Sequence, residues 1–104
     1  ILIGDFNSNT IWDRPKRIGN HSDVVAKLGQ KKIFSTYHKF FQQTQGKEKH
    51  STLFMYRHSD KPYHIDYCFA SLDLLEKLIH VEVGHYNDWS KYSDHTPLTV
   101  TFDI

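Results

Sequence analysis

The chain has 104 residues, enough for one small domain with a single core. A formal net charge of +1, from 13 Lys and Arg against 12 Asp and Glu, excludes a strongly basic nucleic-acid-binding module, although an enzyme can still meet a phosphate locally. The lone Cys68 excludes an intrachain disulfide and suits a reducing, cytoplasmic setting, and no apolar run approaches the roughly 20 residues of a membrane span.

Ile1-Leu2-Ile3 is a short apolar run that stops at Gly4, the pattern of a buried strand feeding a loop. The chain opens inside that strand, with no initiator methionine and no basic-then-apolar leader, and is read as a cut segment. Asp5 to Asn20 is polar and rich in turn formers (Asn7, Asn9, Pro15, Gly19), which predicts an irregular surface loop. Ser22 and Asp23 are good helix starters. Val24, Val25 and Leu28 then supply an apolar stripe, and Lys27, Lys31 and Lys32 sit where cations suit the helix dipole, so a helix is predicted from about Ser22 to Lys31. Ser35 to Phe41 reads as a short helix or a packed turn, and Gln42 to His50 as a loop.

Strands dominate from there. Leu53 and Met55 alternate with Thr52, Phe54 and Tyr56; Ile65, Tyr67 and Phe69 alternate with Asp66, Cys68 and Ala70; Val81 and Val83 alternate with His80 and Glu82. At the end Leu98, Val100, Phe102 and Ile104 face one way and Thr99, Thr101 and Asp103 the other. A helical turn around Asp73 to Lys77 joins the middle two. With no repeat, low-complexity tract or linker, residues 1–104 read as one α+β unit with one mostly antiparallel sheet and one main helix.

Three segments carry chemistry. Gly4-Asp5-Phe6-Asn7 puts an acid and an amide two apart after a strand. His64-Ile65-Asp66-Tyr67 puts an acid inside an otherwise apolar strand. Ser93-Asp94-His95 stands just before the last strand, with Pro97 at its start. Hydrolysis of a phosphoester needs a positioned water, a group to accept its proton, and positive or hydrogen-bonding groups around the phosphoryl oxygens. A carboxylate, an amide and a histidine oriented by a second carboxylate cover most of that requirement. Mg²⁺ takes oxygen ligands and keeps several waters, so one or two carboxylates can hold it.

In this order the three segments resemble the last signature motifs of the exonuclease/endonuclease/phosphatase superfamily, whose members cleave phosphoesters in nucleic acids, sphingomyelin and inositol phosphates. Ser51-Thr52-Leu53-Phe54 also resembles the family's Pro-Thr-Phe strand, with serine replacing the proline. The likeness spans the chain and covers only the C-terminal half of the family's catalytic domain. It implies half of a four-layer α/β/β/α sandwich. It further implies that Asp5 holds the attacking water, that Asn7 hydrogen-bonds the phosphate, and that His95 contacts the phosphoryl oxygen or transfers a proton. Asp66 would orient His95, and Asp94 would bind or orient Mg²⁺ or Mn²⁺. The N-terminal half, with its metal-binding Glu, has no counterpart here, so metal binding is expected to be weak or absent and the chain alone inactive. The partner would be that missing half or a second copy, covering an apolar face around Val100 and Phe102. The substrate class stays open, with nucleic acid the default on analogy alone.

Plainer readings compete. Asp5, Asn7 and Asp94 are also common turn residues, His95 could be a surface imidazole, and an Asp66–His95 pair could be purely structural. A non-catalytic binding half-domain, or one that oligomerises through its sheet face, is the alternative function. The eight histidines suggest zinc only superficially, because none has tight metal spacing; most read as surface or packing residues, with His64, next to Asp66, the exception. Trp12, Arg14, Tyr56, Arg57 and His58 are candidate substrate contacts.

Overall fold

The computed structural model describes all 104 residues. In chain order the strands are β1 (Leu2–Asp5), β2 (Ile33–Ser35), β3 (Leu53–Phe54), β4 (Pro62–Tyr63), β5 (Asp66–Ser71), β6 (Leu78–Val83) and β7 (Leu98–Phe102). The helices are α1 (His21–Gln30), α2 (Thr36–Phe41), α3 (Leu72–Leu75) and α4 (Tyr86–Trp89), with single 3-10 turns at Thr10–Trp12 and Met55–Arg57. The architecture is α+β, as expected. No helix is long and apolar enough to cross a membrane.

The expected single sheet is instead three small antiparallel ones: β1-β5-β2, β3-β4 and β6-β7. The strand expected from Thr52 to Tyr56 is cut to two residues because Tyr56 and Arg57 take left-handed φ values of 57° and 61°, which ends the extended chain. β7 lies beside β5 but shares no ladder with it. β2 had too few residues to register as an alternation; it forms because Lys32, at φ 57°, turns the chain back after α1.

α1 starts one residue before the expected position. Asn20 caps it, and the Asp23 carboxylate accepts from the Asn20 N–H at 3.0 Å, the returning half of a capping box. The predicted alternation at the chain's end is present: Leu98, Val100 and Phe102 are half-buried while Thr99 and Thr101 are exposed. Ile104 lies beyond the strand and is exposed.

The core gathers on β5, where Tyr67, Cys68, Phe69 and Ala70 are all buried, so both faces of this strand are covered. Tyr37 of α2 packs with Val81 and Val83 of β6, and Phe41, Leu78, Leu98 and Val100 flank them. Val100 therefore faces the core rather than an open patch. The bare apolar surface is β1 instead, with Ile1, Leu2 and Ile3 exposed by 65, 46 and 65%. An edge strand with nothing laid over it cannot bury its side chains. The molecule is a slab 41 × 37 × 19 Å across.

Candidate active site

Strand register makes the site. In the β1–β5 ladder Asp5 pairs directly with Asp66, so two carboxylates separated by sixty residues of chain stand side by side at one end of the sheet. His95 reaches them from the segment before β7, which runs along β3: Leu53 bridges His95, the Phe54 N–H donates to the Asp94 carbonyl at 2.7 Å, and the Thr96 N–H donates to the Thr52 carbonyl at 2.8 Å. His95 Nδ1 donates to Asp66 Oδ2 at 2.9 Å, and its Nε2 lies 3.8 Å from Asp5 Oδ2. Asp5, Asp66 and His95 each offer a ligand atom within 4.8 Å of the others. They line an open cleft of about 480 Å³ together with Trp89, Ser93 and Pro97.

Electrostatics follow from that packing. Burial alone would lower the His95 pKa. The hydrogen bond and charge of Asp66, with the further charges of Asp5 and Asp94, outweigh it and raise the imidazole above its ordinary value. The carboxylates thus stabilise the imidazolium by more than burial disfavours it, and Nε2 is turned towards Asp5 and the cleft.

The other expected residues sit differently. Asn7 takes a left-handed φ of 50°, and its N–H donates to Asp5 Oδ1 at 2.8 Å, an Asx turn that fixes the Asp5 carboxylate; the Asn7 amide is exposed and makes no hydrogen bond. Asp94 stands outside the three-residue cluster and lines a neighbouring cavity with Tyr56, Arg57, Tyr92 and Ser93. Both plain readings of the chain's motifs therefore hold in part: Asp5 does close a turn, and Asp66 does form an ion pair, yet both carboxylates face the same cleft.

Two residues outside the expected set hold the site together. Thr52 is fully buried, and its Oγ1 accepts from the N–H groups of Ile65 and Asp66 at 3.0 and 3.1 Å. Thr96 Oγ1 donates to the Ser51 carbonyl at 2.8 Å. Together they pin the Asp66 and His95 segments to the same two-residue stretch. Thr52 lay within the Ser51–Phe54 segment already singled out, but a lone threonine in an alternating strand does not announce which N–H it will accept. Gly84 marks a close approach: a Cβ there would lie 2.6 Å from Pro97 and 2.8 Å from Trp89, two residues of the cleft wall.

A second polar cluster is enclosed rather than open. The Glu48 carboxylate accepts from His38 Nε2 at 2.6 Å, from Asn9 Nδ2 at 3.1 Å and from the Gly46 N–H at 3.0 Å. Asn9 Nδ2 also donates to the His64 carbonyl at 2.8 Å, and the Tyr67 hydroxyl reaches the Ser8 carbonyl at 2.8 Å. Burial would raise the Glu48 pKa, but these donors hold it down at about 2. His64 Nδ1 donates to the His50 carbonyl at 2.8 Å, and its Nε2 is buried without a partner. Burial lowers its pKa and keeps it neutral. So His21 and His64 are buried and His38 half-buried in this network, and no histidine cluster of metal-ligand geometry accompanies it.

No protein-family model matches the chain, and no curated protein and no solved structure matches it at a significant level.

Proposed function

We propose that the chain carries the catalytic rim of a metal-dependent phosphoester hydrolase of the exonuclease/endonuclease/phosphatase type. The observation that carries this reading is the convergence of Asp5, Asp66 and His95 on one open cleft from three distant parts of the chain. Asp66 holds the His95 ring by Nδ1, leaving Nε2–H to meet a phosphoryl oxygen or to protonate a leaving group. Asp5, whose orientation is set by the Asn7 N–H, positions the attacking water. The exposed Asn7 amide is free to donate to the phosphate.

The donor set fits Mg²⁺ or Mn²⁺. Asp5 and Asp66 present hard carboxylate oxygens side by side, and Asp94 adds negative charge next to His95. Asp5 would hold the ion, assisted by Asp94; Asp66 Oδ2 is already committed to His95. When bound, the ion supplies positive charge against the phosphoryl oxygens. With only two or three carboxylates available, affinity is weak.

The same reading makes residues 1–104 half of a four-layer α/β/β/α sandwich. The 19 Å thickness, the bare apolar strand β1, and the burial of only 16 of 104 residues all support a missing covering layer. The alternative, a non-catalytic half-domain that pairs through its sheet, draws on the same bare β1.

Hydrolysis of bis-p-nitrophenyl phosphate in Mg²⁺ by the full-length protein is the test. Turnover that disappears in His95→Ala and Asp5→Ala supports the enzyme. Undiminished turnover in His95→Ala removes it. A stable dimer of the chain, broken by Ile3→Lys and accompanied by no turnover in the full-length protein, selects the alternative.

A further inference from the structure

Beside the candidate active site lies a surface that the phosphoester chemistry does not require. The 3-10 turn after β3 places two consecutive non-glycine residues, Tyr56 and Arg57, in the left-handed region, which is unfavourable for each of them. The surroundings enforce it. The Tyr86 hydroxyl donates to the Arg57 carbonyl at 2.7 Å, Phe54 packs on the Tyr86 ring at 4.7 Å, and the Met55 N–H donates to the Lys61 carbonyl at 3.0 Å. The result is that the Tyr56 ring is pushed into solvent and left 74% exposed. Tyr92, 68% exposed, lines the same cavity, and Arg57, Ser93 and Asp94 complete it. Ser93 also lines the cleft of Asp5, Asp66 and His95, so the two cavities adjoin.

Charge accompanies the rings. Lys61 Nζ lies 5.6 Å from the Tyr56 centroid and Lys91 Nζ 5.2 Å from that of Tyr92. Every ion pair in the molecule involves a histidine, so Arg57, Lys61 and Lys91 have no carboxylate within 4.0 Å. Two exposed aromatic rings, each with a lysine over one face that has no carboxylate partner, suit a ligand that combines a flat ring with phosphate. Inositol phosphates supply phosphate without a flat ring, and a phospholipid would call for a continuous apolar surface in this cavity. A nucleotide supplies both features.

We propose that Tyr56, Arg57 and Tyr92 form a shelf that stacks an unpaired nucleobase next to the scissile phosphate, so that the substrate is single-stranded nucleic acid or a free nucleotide. This rests on the phosphoester reading of the adjoining cleft. Duplex DNA hides its base faces and is a poor ligand for such a shelf, in keeping with the net charge of +1.

The test is binding, read separately from turnover. The chain is titrated with AMP, with an eight-nucleotide oligo(dA), with the same sequence as a duplex, and with inositol trisphosphate. Amide shifts are followed by NMR, and affinities by fluorescence anisotropy of labelled oligonucleotide. The expected result is movement of the Tyr56 and Tyr92 resonances with AMP and oligo(dA). Tyr56→Ala should weaken oligo(dA) binding about 10-fold, while Tyr56→Phe, which keeps the ring, should stay within about 2-fold of wild type. Affinity that rises with oligonucleotide length marks a strand; AMP binding equal to oligo(dA) marks a free nucleotide. Equal binding of duplex or inositol trisphosphate, or no loss in Tyr56→Ala and Tyr92→Ala proteins whose amide spectra remain folded, overturns the shelf. Phosphoester turnover without base preference would remove the shelf and leave the hydrolase. Base binding without turnover in the full-length protein would do the reverse.

Discussion

Two carboxylate–imidazole pairs stand in this small molecule, and they differ in what surrounds them. Asp66 and His95 meet at 2.9 Å on an open cleft, with a second carboxylate 3.8 Å from the far ring nitrogen. Glu48 and His38 meet at 2.6 Å, with the Glu48 side chain only 3% exposed and its oxygens also engaged by Asn9 and the Gly46 N–H. The first pair leaves a nitrogen and a carboxylate free to act on something from outside. The second has saturated its carboxylate inside the protein, where it ties the loop before β3 to the loop after β1. Pairing alone therefore does not distinguish the two; the difference is unspent hydrogen-bonding capacity facing solvent, which the phosphoester reading requires.

Breaking each pair should separate the two roles. On the phosphoester reading the largest expected effect is on turnover: His95→Ala in the full-length protein should lose activity by about 10²–10⁴-fold, with a melting temperature near that of wild type. Similar melting with similar turnover would erase the contrast. Glu48→Gln should do the opposite and cost stability on the order of 3 kcal/mol. The sign follows from the lowered carboxylate. Its contribution is present above the ordinary glutamate value of 4.5 and is lost as pH falls from there towards about 2. Chemical denaturation of the wild type should therefore show a steep loss of stability across that window, and the Glu48→Gln protein a shallower one. Parallel curves would show that Glu48 is not held as a carboxylate.

A smaller effect sharpens the boundary between the regions. Thr52→Val removes the acceptor for the N–H groups of Ile65 and Asp66 while keeping the shape. It should cost about 1–3 kcal/mol and also reduce turnover, because Asp66 loses its anchor. Lost stability with unchanged turnover would place Thr52 with the interior network alone.

The sequence made parts of this arrangement legible and hid others for physical reasons. Motifs at strand ends could be seen because turn residues and apolar runs are local signals. The meeting of Asp5 with Asp66 is a matter of register, and register is decided by pairing across sixty residues, which no local pattern encodes. β5 read as an alternating strand, yet both its faces are buried, since α2 and its neighbours cover the side that alternation would leave to solvent. His21 and His38 read as surface or packing residues, and His64 stood out only by its nearness to Asp66, because a histidine's place in a network depends on partners such as Asn9 and Glu48, which are distant in sequence. β3 stopped short because two left-handed residues broke it, and neither Tyr56 nor Arg57 is a residue that announces such a turn.

The most direct check on the open cluster is an NMR titration of the His95 imidazole in wild type, Asp66→Asn and Asp5→Asn. With the ring held between two carboxylates, its pKa should lie above the ordinary histidine value of 6.5 and fall in both variants, further in Asp66→Asn, where the hydrogen bond is weakened as well. An imidazole that titrates at its ordinary value and ignores both substitutions would mean that Asp5, Asp66 and His95 do not share a site.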